Sequence, residues 1–185
     1  NILETSGNVK YIDKIKNITI TTDKAIYFKD QEKIFTIGNS KAVNNNNTIT
    51  ASNLNYNKNK NIFEAKKNVV VNDFEKDATI YADEITYFKN EEKFFTNGNS
   101  KAINDNNTIT ASILEYDKIN NIFEAKKNAV ANDFEKDATI YADEITYFKN
   151  EEKIFTKGRT KVLIEDKYRF NSENVSYYRN LGDLI

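Results

Sequence analysis

The chain has no cysteine, histidine, methionine, tryptophan or proline. Thiolate and imidazole are the side chains that most often serve as nucleophile, neutral-pH base and soft metal ligand, so their absence removes most enzyme classes and every site built on them. No catalytic residue, resident metal or cofactor is expected. An excess of positive charge is also lacking: 27 Lys and Arg stand against 28 Asp and Glu, a net charge of −1, which excludes the cationic footprint of a nucleic-acid binder. No apolar run approaches the ~20 residues of a membrane-spanning helix, and the amino terminus has no charged-then-apolar leader. Asn1 in place of methionine is expected to mark a processed product or a fragment of a longer protein.

What is present is aromatic and repetitive. Twelve Phe and 11 Tyr in 185 residues are too many for a solvated tail, even with 30% charge, so a folded chain with a sparse, aromatic-rich interior is expected. Residues 61–96 recur as 121–156 with three changes, Val69 to Ala129, Val71 to Ala131 and Phe94 to Ile154, which sets a period of 60. Gly38, Gly98 and Gly158 mark the same step in successive copies. Each 60-residue unit is itself two related halves. TITASNLNY from Thr48 matches TIYADEITY from Thr79 at a shift of 31, setting Ile49 on Ile80, Ala51 on Ala82, Leu54 on Ile85 and Tyr56 on Tyr87.

Phe63, Ala65, Val69 and Val71 alternate with Glu64, Lys66, Asn68 and Val70, which is strand spacing with one apolar face. Ile49 and Ala51 share a parity that Leu54 and Tyr56 do not, so such strands need a bulge or bend near the middle. Asn, Asp, Lys and Glu cluster at 44–47, 57–60, 72–77 and 89–93, where Asn and Asp suit tight turns. These patterns predict an antiparallel meander of about ten or eleven strands of roughly six to ten residues. Opposed apolar faces then give a sandwich or an incompletely closed barrel. Small residues at Ala65, Thr96, Gly98, Ala125, Ala129 and Ala131, read as inner positions, leave room for a lined cavity.

Asp83–Glu84 and Asp143–Glu144 have the composition of an acid–base pair. Neighbours on a strand face opposite ways, however, and the pair recurs with the repeat where a catalytic dyad is unique. Asp73, Glu75 and Asp77 cluster without the spacing of a calcium loop. Lys66–Lys67 and Lys126–Lys127 read as a charged outer face, with contact to a lipid phosphate as the alternative.

The motif I-x-A-(D/S)-x-(L/I)-x-Y, a turn, then F-x-A-x-(G/K)-N-V, repeats about every 30 residues between Gly7 and Tyr178. It resembles the OstA-like periplasmic β-jellyroll family of lipopolysaccharide transport, which includes LptA, LptC and the amino-terminal domain of LptD, and within it the LptD domain most. The resemblance implies an all-β, antiparallel, twisted, slightly open jellyroll of ~30-residue half-repeats, one domain over residues 1–185. It implies a non-enzymatic protein of the periplasm, alone or as the periplasmic part of an outer-membrane protein with a barrel in the same chain. Its ligand would be lipopolysaccharide, and its partners other Lpt jellyrolls joined end to end by strand pairing. The cysteines that tie this domain to the barrel in some LptD proteins are absent.

By position, the acyl chains would lie against Ile49, Ala51, Leu54, Tyr56, Phe63, Ala65, Val69, Val71, Ile80, Ala82, Ile85, Tyr87 and Phe94. One period later the same places are held by Ile109, Ala111, Leu114, Tyr116, Phe123, Ala125, Ile140, Ala142, Ile145, Tyr147 and Ile154. Strands near Val9 to Tyr11 and Phe170 to Tyr178 are expected to offer unpaired backbone for the joint, with Val175 supplying one ladder donor. The alternative is a structural β-repeat, solenoid or adhesin-like, with a closed core. The alternation of 31- and 29-residue shifts and the closely spaced turns favour antiparallel pairing over a parallel coil.

Overall fold

The computed structural model describes residues 1–75, 77–178 and the backbone of 183–184. Regular structure among them is β, apart from two single 3-10 turns at Lys29–Gln31 and Lys149–Glu151. The chain divides into two compact units, Asn1–Glu92 and Lys93–Ile185.

The first unit holds β1 (Ile2–Asp13), β2 (Ile18–Phe28), β3 (Lys33–Ile37), β4 (Ser40–Val43), β5 (Asn47–Ala51), β6 (Asn53–Asn57), β7 (Ile62–Asp73) and β8 (Ala78–Phe88). Every pairing described is antiparallel. β1 pairs with β2; β2 pairs with β4 along its first half and β3 along its second. β4 then pairs with β5 and β3 with β6, and both of these lie on β7, which pairs with β8. The unit is therefore a ladder of six rungs, since β3 with β4 and β5 with β6 are each one rung broken in the middle.

The second unit holds β9 (Lys93–Asn97), β10 (Ser100–Asn104), β11 (Asn107–Ala111), β12 (Ile113–Asp117), β13 (Ile122–Asp133), β14 (Ala138–Phe148), β15 (Lys153–Lys157), β16 (Thr160–Ile164), β17 (Tyr168–Ser172), β18 (Ser176–Tyr178) and β19 (Asp183–Leu184). It repeats the scheme: β10 and β9 carry β11 and β12, which share β13, followed by β14. β14 carries β15 and β16, which pair with β18 and β17. β19 pairs with β18.

The strand lengths differ from the sequence expectation. Unbroken rungs run 11 or 12 residues, and the others split into shorter segments, because each rung crosses two half-sheets and must turn a corner between them. In β7 and β13 the corner is a bulge, where Lys67–Asn68 and Lys127–Asn128 take positive φ and slip the register against the next strand. In the rung of β5 and β6 it is a break at Ser52, and in that of β3 and β4 a turn at Gly38–Asn39. The parity change between Ala51 and Leu54 is thus a corner in the chain.

Residues from before and after the corner pack together, so the half-sheets face each other. In the first unit Ile20, Ala42, Ala51 and Val69 from one half share a cluster with Ile34, Leu54, Tyr56 and Ile85 from the other. The second unit matches it with Ala111, Ala129, Ala131 and Val162 against Leu114, Ala125, Ile145 and Ile154.

Candidate functional site

The residues singled out by the repeat line these two interiors. Ala51, Leu54, Tyr56, Phe63, Ala65, Val69, Ala82 and Ile85 are buried, with Ile49, Val71, Ile80 and Tyr87 half-buried against them. In the second unit Ala111, Leu114, Ala125, Ile140, Ala142, Ile145 and Ile154 are buried, and Phe94, Ile109, Phe123 and Tyr147 half-buried against them. Tyr116 is buried as well. Ala129 and Ala131 are part of the same wall, and their methyl groups leave it thinner than Val69 and Val71 leave theirs. Gly98 does not belong to the wall. It sits half-buried at the corner with φ 75°, a turn residue whose place in the motif is set by backbone and not by volume.

A line of buried hydroxyls follows the corner, a feature the sequence reading takes only as small side chains. Leu54 N–H donates to Thr36 Oγ1 at 2.8 Å, Leu114 N–H to Thr96 Oγ1 at 2.8 Å, and Val175 N–H to Thr156 Oγ1 at 2.9 Å. Each threonine also bonds a hydroxyl four residues on, Ser40, Ser100 or Thr160. The corner frees backbone groups from the ladder, and buried backbone groups need partners; the hydroxyls supply them. Val175 is therefore an inner residue, and its N–H is not the open-edge donor expected of it.

The charged candidates lie on the outside and act separately. Asp143 Oδ2 accepts the Arg159 N–H at 3.1 Å, while Glu144 pairs with Lys157 at 3.6 Å, so the two carboxylates do not form a dyad. Lys66 pairs with Glu84 at 3.4 Å, and Lys126 with Glu115 and Glu124 at 2.9 and 3.1 Å.

In the first unit the two long margins of the ladder touch. One margin carries the turn after Asp13, the other the turns holding Glu32 and Lys58. Lys58 N–H donates to the Glu32 carbonyl at 2.9 Å, and its Nζ reaches 3.6 Å from Glu32 and 3.3 Å from Asp13 Oδ2 on the far margin. Burial raises the proton affinity of Asp13, but the Lys16 N–H, the Lys58 ammonium and the Ile15 N–H outweigh it and hold the carboxyl below its ordinary range. Tyr11 and Tyr27 meet across the same gap with ring centres 6.3 Å apart. Tyr56 lies beneath, stacked on Phe63 at 4.2 Å. Its hydroxyl is buried with no hydrogen-bond partner, and burial, followed by Asp13 and Tyr11, pushes it up to about 12.

No family model and no curated protein matches the chain. Among solved structures it is similar to LptH of Pseudomonas aeruginosa, described as the LptA-homologous periplasmic component of the lipopolysaccharide transport device. The TM-score is 0.55 at 19% identity, over 62% of this chain and 85% of that one. The likeness establishes an LptA-like β-jellyroll fold and does not single out the LptD amino-terminal domain.

Proposed function

We propose that this chain is a non-enzymatic carrier of lipopolysaccharide in the periplasm, holding acyl chains between its half-sheets and passing them toward the outer membrane. A fold does not fix a function, and the observation that carries the reading is the apolar wall. In each unit it runs along successive rungs, is lined with alanines at Ala65, Ala82, Ala125 and Ala142, and belongs to a fold shared with a periplasmic transport component. Titration with lipopolysaccharide should raise the thermal midpoint through linkage and change the emission of the buried tyrosines. A midpoint and emission that stay flat at saturating lipid would sink the carrier reading. A photo-crosslinking residue at Leu54, Ile85 or Leu114 should capture lipid while one at Glu91, in an exposed turn, should not.

The partners of the proposal are other jellyrolls of this type, added at strand edges. β1 is described with one neighbour, β2, and exposes Ile2 and Leu3; β17 is described with β16 alone and exposes Tyr168 and Phe170. Such edges template another strand. The second reading, a structural β-repeat with a sealed core, is favoured by one observation, the contact of Asp13 with Lys58 across the margins.

A further inference from the structure

The outer faces of the two half-sheets differ in charge. On the half-sheet that holds Leu54, Tyr56 and Leu114 within, outer lysines are matched by carboxylates: Lys24 by Glu4, Lys66 by Glu84, Lys126 by Glu115 and Glu124, and Lys157 by Glu144. The half-sheet of Ala51, Val69 and Ala129 is different. Side chains alternate along a strand, so register fixes which of them stand side by side on the outside. In the first unit the outer face is crossed by the line Lys10, Thr21, Lys41, Thr50, Val70 and Tyr81, each opposite the next on the neighbouring strand. In the second unit the line is Lys101, Thr110, Val130, Tyr141, Lys161 and Asn171.

No carboxylate stands on this face among the described residues. The outer positions two residues along each strand add Ile12 and Val43 in the first unit, Ile103, Leu163 and Arg169 in the second, and otherwise threonine and asparagine. Lys10, Lys41, Lys101, Lys161 and Arg169 have no carboxylate partner among the described residues. Lys161 lies instead over the Tyr141 ring, 5.3 Å from its centre. Tyr81 and Tyr141 are 42% and 41% exposed, so flat aromatic surface is open to solvent beside unmatched positive charge. The acids nearest the face stand off it, in the exposed turns at its margin that hold Glu75, Glu135 and Glu165.

We propose that this face binds an acidic oligosaccharide laid across the strands, with a sugar ring on the tyrosine and the ligand's anionic groups at the lysines. A tyrosine ring offers an apolar plane with a polar tip, on which the C–H face of a sugar packs. Threonine hydroxyls and the Asn171 amide both donate and accept, which fits a ligand rich in hydroxyls. The cations are sparse: Lys10 and Lys41 are two rungs apart, roughly 10 Å, and Lys101 and Lys161 four rungs, roughly 19 Å. That suits a chain charged at intervals, whereas a nucleic-acid duplex carries a charge every ~1.7 Å and calls for a denser row. A broad anionic surface would press on Glu75, Glu135 and Glu165 in the bordering turns, and a ligand one sugar wide passes inside them. The face is reached directly from solvent, so the inference goes beyond the carrier reading and stands whether or not the interior takes lipid.

Calorimetric titration of the full chain with hexagalacturonate, an acidic hexasaccharide, tests the site. Wild type should bind it, and more weakly as salt rises. The triple variant K41Q, K101Q and K161Q should bind about tenfold more weakly, the scale of three exposed charge contacts, while K41R with K101R and K161R should bind like wild type. K24Q with K66Q and K157Q removes the same charge from the opposite face and should change nothing. Y81T with Y141T should weaken hexagalacturonate binding about two- to tenfold, as lost ring stacking does, and leave hexaglutamate binding where it was. All variants must first melt cooperatively. A wild type that does not bind hexagalacturonate, or equal losses in the two glutamine triples, would overturn the site. Hexaglutamate bound as tightly as the hexasaccharide, with the tyrosine pair affecting both alike, would overturn the saccharide assignment. So would phosphatidylglycerol vesicles that sediment wild type but not the K41Q, K101Q and K161Q variant, since the face would then be a membrane contact.

Discussion

Thr36, Thr96 and Thr156 stand in for backbone at the corner, each accepting a main-chain N–H from the neighbouring rung and bonding a second hydroxyl. Thr36→Val keeps the shape and leaves Leu54 N–H buried without an acceptor, which should cost about 1–3 kcal/mol in a denaturant titration. Gly158 has φ 81°, and a Cβ there would lie 2.8 Å from the Asp143 Cβ; at Gly7, with φ 84°, it would meet nothing. Gly158→Ala should therefore lose more stability than Gly7→Ala, which bears only the left-handed backbone term of about 1–2 kcal/mol. Asp13 sets a pH dependence with a definite sign. Its carboxyl is more acidic folded than unfolded, so its contribution is present above the unfolded value near 4 and disappears as the pH falls through the lower folded value. Wild type should lose more stability than D13N on going from about pH 5 to pH 2; parallel acid curves for the two proteins would contradict the assignment.

The bent rung is the element that makes two half-sheets from one meander. Lys67 and Asn68 occupy its corner in β7 with φ 66° and 55°. Deleting Asn68 removes the extra residue and should turn Val69 and Val71 to the outer face, since side-chain period on a strand is two. The deletion protein should lose cooperative melting of the first unit and become sensitive to limited proteolysis there, whereas Asn68→Gly keeps the bulge and should melt like wild type. Much of this element was legible in the sequence. The inward stripe was readable because period two and period 60 coincide on it, and the shift of parity between Ala51 and Leu54 announced the corner. The hydroxyl line was not, because Thr and Ser fit a strand equally well facing in or out, and nothing in the spelling of Thr36 says that Leu54 N–H lacks a ladder partner. Gly98 was misread for a related reason: a small residue in a motif is as consistent with a left-handed turn as with an inner wall. The contact of Asp13 with Lys58 was beyond reach, since the two are 45 positions apart and meet only through the accumulated twist of three rungs.

At the scale of the whole molecule, strand addition at the edges predicts head-to-tail growth, because an edge meeting a different edge is heterologous and does not close. Mass should rise with protein concentration, and paired Ile2→Lys and Leu3→Lys changes, which put charge on the exposed part of β1, should suppress the rise without lowering the melting midpoint. A species of constant mass across the concentration range would remove strand addition from the proposal. The near-identity of the copies has one more consequence. β8 and β14 have the same sequence, ATIYADEITYF, and their partners β7 and β13 differ only at Val69 against Ala129 and Val71 against Ala131. Either copy of the strand therefore satisfies either partner almost equally, and the side chains do not encode which goes with which. The order of the rungs is kept by connectivity, through the short stretches of chain from Asp73 to Ala78 and from Asp133 to Ala138. During refolding at high concentration, the same match between chains offers an exchanged dimer nearly isoenergetic with the monomer, so memory of the correct partner resides in proximity along the chain and is erased by crowding chains together.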